Sequence, residues 1–173
     1  APLMENGRRQ MEIMNALLMS LPGTPIVYYG DEIGMGNGSG AKPPRDRIGR
    51  DSFRHPMQWT GGRGGGFTSG EPWLPPVDPE HVNVEAQRDD PASTLTLTRE
   101  LIRLRRSLPR DFRLLETAAG VLAYERGDHV VAVNTTGRAL PAPEEAGELV
   151  LETEPGALRG DELAPHAGTI SRN

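Results

Sequence analysis

The run Leu21-Pro-Gly-Thr-Pro-Ile-Val-Tyr-Tyr-Gly-Asp-Glu-Ile-Gly-Met35 constrains the chain most. Pro22-Gly23 stops whatever precedes it, and only Thr24 and Pro25 separate that stop from the apolar run Ile26–Tyr29. Upstream, Met11, Met14, Leu17, Leu18 and Leu21 recur at spacings of three and four, which predicts a helix over 7–21 with those residues on its buried face. A helix feeding so directly into a short, fully buried strand is the αβ step of a parallel sheet. Asp31-Glu32 then arrives where that strand ends, and ligand chemistry in parallel αβ folds gathers at the carboxyl ends of strands. The residues alone leave two readings open: a functional acid pair, or carboxylates that are solvated or paired with arginines such as Arg45 or Arg50.

Downstream, residues 34–93 read as one long loop, rich in glycine and with Pro72, Pro75, Pro76 and Pro79 crowding its later half. A loop of this length is functional or disordered. Phe53, Met57, Trp59, Phe67 and Trp73 argue for order, because disordered segments rarely carry large aromatics. Within it, 50–59 packs Arg50, Asp51 and Arg54 among aromatics. Planar guanidiniums and carboxylates grip vicinal hydroxyls while aromatic faces cover the C–H surface of a sugar ring. A buried ion pair pinning the loop is the alternative.

A second helix is expected over 91–108, capped by Asp90 with Pro91 at its first position and Leu97, Leu101, Leu104 and Leu108 as its stripe. Arg99, Arg103, Arg105 and Arg106 are read as its solvated face. From residue 112 the period becomes two: 121–126 and 129–134 flank Gly127-Asp128 as a hairpin. Strands are also expected at 147–153 and 168–171, making a small antiparallel sandwich or barrel.

Several classes are excluded or disfavoured. The 173 residues contain no cysteine, so disulfides and thiolate metal sites are out. His55, His81, His129 and His166 are isolated, without metal-ligand spacing, and no cofactor or metal is expected. A net charge of −5 argues against a nucleic-acid partner. No run approaches the roughly 20 apolar residues of a membrane span. Gly36–Ala41 matches G-x-G-x-x-A, but Lys42-Pro43-Pro44 cannot open the helix that a phosphate site needs. Asn37-Gly38-Ser39 and Asn134-Thr135-Thr136 fit the N-glycosylation sequon. Ala1-Pro2-Leu3-Met4 reads as the interior of a longer protein, and the expected compartment is the cytoplasm.

These residues resemble a known family. Leu21–Met35 is similar to the region of the eighth barrel strand in the α-amylase superfamily, glycoside hydrolase family 13. Gly49-Arg-Asp-Ser-Phe-Arg-His-Pro-Met-Gln-Trp59 resembles the pattern G-R-D-x-x-R-x-P-M-Q-W of its α-glucosidase, oligo-1,6-glucosidase and trehalose synthase branch. Gly66-Phe67-Thr68, Pro72-Trp73, 82–87 and Asp90-Pro91-Ala92-Ser93 continue the likeness in order, over about residues 7–108. The tail resembles the family's C-terminal β-sandwich through its layout and its Leu163-Ala164-Pro165 ending. His55 departs from the pattern, where Thr is usual.

The resemblance implies an α/β plus all-β chain. Residues 1–110 would be the last part of a (β/α)₈ TIM barrel, comprising strand eight, its long loop and the final helix, and 111–173 a small antiparallel β-sandwich. Arg50, Asp51 and Arg54 are implied to lie at sugar subsites, and Glu32 joins them as a candidate substrate-binding residue. The family's retaining mechanism uses an Asp after strand four, a Glu after strand five and an Asp in an Asn-His-Asp triplet after strand seven. No Asn-His-Asp occurs here, so no catalytic residue is assigned and the chain alone is expected to be inactive. The implied partners are an α-glucosidic di- or oligosaccharide and an N-terminal barrel segment. Two further readings stay open. One is a trehalose synthase, favoured by Met35-Gly36 and Ala1-Pro2-Leu3; Pro72-Trp73 and a short 74–82 connection favour glucosidase instead. The other is a non-catalytic binding or structural module of the same superfamily.

Overall fold

The computed structural model describes residues 7–40 and 46–173. Its helices are α1 (Arg8–Ser20), the one-turn α2 (Val84–Gln87) and α3 (Thr94–Arg105). Its strands are β1 (Arg113–Leu114), β2 (Val121–Arg126), β3 (His129–Asn134), β4 (Leu140–Pro141), β5 (Glu148–Glu152), β6 (Leu158–Arg159), β7 (Glu162–Leu163) and β8 (Gly168–Arg172). Two compact units result: Val27–Thr96 carries the long loop, and Asn6–Ile26 joins Leu97–Asn173. The apolar faces of α1 and α3 are buried on the sheet of the C-terminal half.

In that second unit the hairpin forms as expected, with Arg126 opposite His129 and Val121 opposite Asn134. Gly127 turns the chain at φ +61°, and a β-carbon there would lie 2.5 Å from Pro109 Cγ, so only glycine fits. Five antiparallel strands run in the order β1-β2-β3-β8-β5, and β4-β7-β6 form a second antiparallel sheet. Every residue of β3 is buried, which explains its continuous apolar run. Successive side chains leave opposite faces. Val131, with Tyr124 and Ile170, packs on Ala16, Met19, Leu97 and Leu101 of the helices. Val130 and Ala132, with Val121 and Ala123, pack on Leu140 and Leu163 of the small sheet.

Helix α1 turns a different face inward from the one its Met/Leu spacing predicts. Ile13, Ala16 and Met19 are buried, with Glu12, Asn15 and Ser20, whereas Met14 and Leu21 are exposed. Small and polar side chains seat the helix closely on the sheet, and Ser20 Oγ lies 2.6 Å from the Tyr124 hydroxyl. The orphan carbonyls at its C-terminal end are met by two guanidiniums. Arg105 donates to Met19 O (2.5 Å), Leu21 O (2.9 Å) and Gly23 O, and Arg126 donates to Ser20 O and Pro109 O. Arg105 is thus a cap on a neighbouring helix rather than part of a solvated face. Burial, with Arg105 close by, pulls the Arg126 guanidinium below its usual range.

Helix α3 starts three residues after Pro91. Asp90 Oδ1 accepts from Ala92 N–H (2.9 Å), and Ser93 Oγ takes the capping role, accepting from Thr96 N–H at 3.1 Å. Leu97, Leu101 and Leu108 are buried as their spacing requires, and Ile102 is exposed. Asn134 closes the second unit's loops: its Nδ2 donates to Arg138 O and Ala164 O, and its Oδ1 accepts from Thr136. With no exposed surface and an engaged amide, it is no glycan acceptor in the folded chain.

The run Ile26–Tyr29 is neither buried nor paired. Ile26 is 82% exposed and Val27, Tyr28 and Tyr29 are at least two-fifths exposed. A lone strand needs neighbours to meet its backbone groups and cover both faces. Among the described residues none supplies them.

Candidate functional site

The site lies in the Val27–Thr96 unit and is organised by buried polar side chains. Gln58 has no exposed surface; its Nε2 donates to Val82 O (2.5 Å), and its Oε1 accepts from Val77 N–H (2.8 Å) and Asp78 N–H (2.9 Å). Val84 N–H and Glu85 N–H in turn donate to Gln58 O and Trp59 O. Asn83 caps α2 by accepting from Ala86 N–H and donates to Pro79 O. Gln87 reaches Ile33 O at 2.7 Å. A small apolar core of Ile33, Met57, Val84 and Leu95 fills the space these bonds enclose.

Asp46 organises the arginine segment by accepting from Arg50 N–H (2.9 Å) and Asp51 N–H (3.2 Å). Burial raises its carboxyl, but the backbone donors of Arg50, Asp51, Gly49 and Ile48 outweigh it and hold Asp46 below the usual carboxylate range. The single turn Asp51–Phe53 follows, and it separates the three matched residues. Arg50 and Arg54 reach solvent-filled space, whereas Asp51 is 1% exposed. Arg54 Nη1 stands 3.6 Å from Asp51 Oδ1, and no hydrogen-bond donor among the described residues reaches either Asp51 oxygen.

Two adjoining cavities open here. The first, of about 510 Å³, is lined by Tyr28, Asp31, Asn37 and Arg50, together with Tyr29 and Arg54. The second, of about 550 Å³, is lined by Glu32, Trp59, Phe67 and Trp73, again with Tyr29 and Arg54. Tyr29 and Arg54 therefore belong to both. The Tyr28 and Tyr29 rings stand 4.7 Å apart, tilted by 37°. The Tyr29 hydroxyl donates to His55 O (3.0 Å); burial first, then Tyr28 beside it, pushes this phenol above its ordinary value, so it remains a donor. The acid pair folds back on its own turn: Asp31 Oδ2 accepts from Tyr28 N–H (3.1 Å) and Glu32 Oε2 from Gly30 N–H (2.7 Å). Asp31 faces the first cavity and Glu32 the second. Arg45, a suggested partner for them, lies outside the described residues.

His55 has a definite place. It is 2% exposed and its Nδ1–H donates to Pro75 O at 2.7 Å. Its ring lies against Gly38, where a β-carbon would come within 2.4 Å of Nε2. The imidazole thus ties the 36–40, 52–59 and 72–76 stretches together, and Gly38 is the residue that leaves room for it.

Of the four sequence-derived binding candidates, Arg50, Arg54 and Glu32 line cavities and Asp51 lines neither. The sequence motifs do not mark Tyr29 or Asn37 as cavity residues, nor Gln58 as the organiser of the loop. Tyr29 is hidden there inside a run that reads as buried strand, and Gln58 inside a motif whose arginines draw the eye. Among the described residues no group of His, Asp and Glu is arranged to hold a metal, and no helix is long and apolar enough to cross a membrane.

The family model of the α-amylase catalytic domain matches residues 3–110. The chain belongs to that family, glycoside hydrolase family 13, in its trehalose synthase/α-glucosidase branch. Trehalose synthase/amylase TreS of Mycobacterium tuberculosis (strain ATCC 25618 / H37Rv) is 44% identical over 162 residues, which cover 83% of this chain and 26% of TreS. Trehalose synthase of Thermus thermophilus is 40% identical over 155 residues, covering 79% of this chain and 15% of that protein. The human amino acid transporter heavy chain SLC3A1 is 42% identical over 98 residues, 55% of this chain and 14% of its own. The chain thus spans about a quarter of the length of TreS. Among solved structures, trehalulose synthase MutB from Pseudomonas mesoacidophila MX-45 superposes with a TM-score of 0.80 at 24% identity, covering 96% of this chain and 38% of MutB. That likeness speaks for the fold.

Proposed function

We propose that the whole protein carrying this chain rearranges or cleaves an α-glucosidic bond, with isomerisation of maltose to trehalose as the leading reaction. The observation that carries this is the first cavity: two guanidiniums, a carboxylate and an amide converge on a space framed by tyrosine rings, the chemistry that grips hydroxyls and covers a sugar's C–H face. Identity to trehalose synthases supports the choice of reaction. In this reading residues 1–110 close a (β/α)₈ barrel and 111–173 form a β-sandwich, in a protein of the cytoplasm. Arg50 and Arg54 bind the sugar; Asp51, behind Arg54, fixes its guanidinium, and Glu32 orders the Gly30 turn. The chemistry of bond cleavage belongs to carboxylates outside this chain, by the retaining route that forms a glucosyl-enzyme intermediate.

Incubating the whole protein with maltose tests the reaction: trehalose should accumulate over glucose. Accumulation of glucose alone would instead establish the α-glucosidase reading, which the resemblance of the Gly49–Trp59 motif supports. No turnover by the whole protein would favour a non-catalytic module, a reading to which the likeness to a transporter heavy chain lends support. The 173-residue chain should turn over neither sugar. Arg54→Ala in the whole protein should cost about 10- to 100-fold in kcat/KM, the value of one charge-assisted hydrogen bond. Unchanged kinetics would remove Arg54 from the sugar site.

A further inference from the structure

His55 stands where the motif shared with the family usually carries threonine, a side chain that does not titrate near neutral pH. Its ring is 2% exposed. Pro75 O can only accept, so Nδ1 carries the hydrogen of that 2.7 Å bond and Nε2 is left with a lone pair. Nε2 is buried and has no hydrogen-bond partner among the described residues. It faces Gly38, where a β-carbon would lie 2.4 Å from Nε2 and 2.5 Å from Cε1. Gly38 N–H is itself committed to Ser52 O at 3.0 Å. A lone pair stays unmatched in such a place at small cost, whereas a cationic N–H without an acceptor does not.

The ring's surroundings connect it to the site. The His55 carbonyl accepts from the Tyr29 hydroxyl (3.0 Å), and Arg54 is the preceding residue. Tyr29 and Arg54 are the side chains common to both cavities. Pro75 and Pro76 have no N–H, so their stretch is held through its carbonyl by His55 and then through Val77 N–H by Gln58 Oε1. The titratable and charged groups around the ring are the Tyr29 phenol, the Arg54 guanidinium, and Asp46 and Asp51, which border the 38–40 stretch at Gly40. Neither 36–40 nor 72–76 contains a titratable side chain, and no carboxylate among the described residues accepts from Nε2.

We propose that His55 is a positioning residue that seats Tyr29 and Arg54 at the sugar site only while its ring is neutral. Protonation adds a second N–H against Gly38 and a buried charge that no carboxylate meets. Moving the 72–76 stretch away from the ring lets water solvate both, so protons favour the open arrangement. The wall shared by the two cavities then loosens, and sugar binding weakens as the solution is acidified. The inference deepens the sugar reading of the first cavity, on which its kinetic arm rests.

The test uses the whole protein and its His55→Asn and His55→Thr variants, each checked for its melting temperature. Asparagine keeps a donor for Pro75 O and does not titrate. Hydrogen exchange is compared at pH 7.5 and 5.5, corrected for its intrinsic pH dependence, in peptides containing Gly38 and Val77. In the parent, protection should fall about tenfold or more at pH 5.5, and in the variants it should change by less than about threefold. For maltose, each protein's kcat/KM at pH 5.5 is divided by its own value at pH 7.5, so that titration of the catalytic groups cancels between proteins. The parent's ratio should lie about fivefold or more below those of the variants, carried mainly by KM. Equal exchange changes in parent and variants, within about threefold, overturn the inference. A selective change in exchange with equal kinetic ratios also overturns it, since His55 would then position nothing at the site. If the whole protein turns over no maltose, the sugar reading fails by itself. Exchange then decides alone: loss confined to the parent sustains the proton-sensitive loop, and equal loss overturns it.

Discussion

Replacing Gln58 by leucine tests the view that one buried amide holds the loop in shape. The substitution keeps most of the volume and deletes three hydrogen bonds at once, those to Val82 O, Val77 N–H and Asp78 N–H. Asp78 is exposed, so its amide can return to water, whereas Val77 and Val82 are half-buried and rehydrate less completely. A buried group left without a partner costs about 1–3 kcal/mol, so the two half-buried groups together should cost about 2–5 kcal/mol. At about 1.4 kcal/mol per factor of ten, local opening should become roughly 30- to 4,000-fold more frequent. Hydrogen exchange of the whole protein, read in peptides spanning 58–84, measures this directly. The amides of Val77 and Val84 should lose protection by such factors while the β2–β3 hairpin keeps its own. Protection within about threefold of the parent throughout 58–84 would refute the reasoning, since it would mean that the loop's order does not depend on the Gln58 amide.

Other expectations follow from the same geometry. Gly127→Ala should destabilise the hairpin by about 1–3 kcal/mol, since its φ is positive and the new methyl meets Pro109; a thermal shift within error would contradict the turn. Asp128 is held below the usual carboxylate range, first by its hydrogen bond from Arg172 and then by nearby positive charge, against the opposing effect of burial. A depressed carboxyl stabilises the fold above its unfolded pKa of about 3.9, and that contribution is lost as pH falls through the lower folded value. Asp128→Asn should therefore lower stability at neutral pH and flatten the acid limb of a stability–pH curve, and an unchanged acid limb would exclude the pair as a contributor. Because Asp128 is well exposed, the effect should shrink in high salt.

The parts of the fold that rest on local rules were legible in the residues. The β2–β3 hairpin follows from two β-periodic runs around Gly127-Asp128, and the buried stripe of α3 from its leucine spacing. What the residues do not show on their own depends on partners distant in sequence. The inward face of α1 is set by the sheet it sits on, and a close approach there favours Ala16 and Ser20 over the larger Met14. Arg105 looks solvated until the carbonyls of Met19, Leu21 and Gly23 are brought to it. Ile26–Tyr29 reads as buried strand because composition reports what a segment can pair with, not whether a neighbour is present. At the site, the motif pointed to Arg50 and Arg54, but no spacing rule separates a carboxylate that faces a cavity from one, like Asp51, that sits behind an arginine. Nor could it show that Tyr29 and Arg54 divide one space from another.

The two-sided burial of β3 carries an evolutionary consequence. Neighbouring positions along this strand answer to different constituencies, Val131 to the helices and Val130 and Ala132 to the small sheet. Substitutions should therefore drift as two separate co-varying sets interleaved at every other residue. A change in bulk at Val131 should be matched at Ala16 or Leu101, and one at Ala132 at Leu163, while adjacent positions remain free of each other.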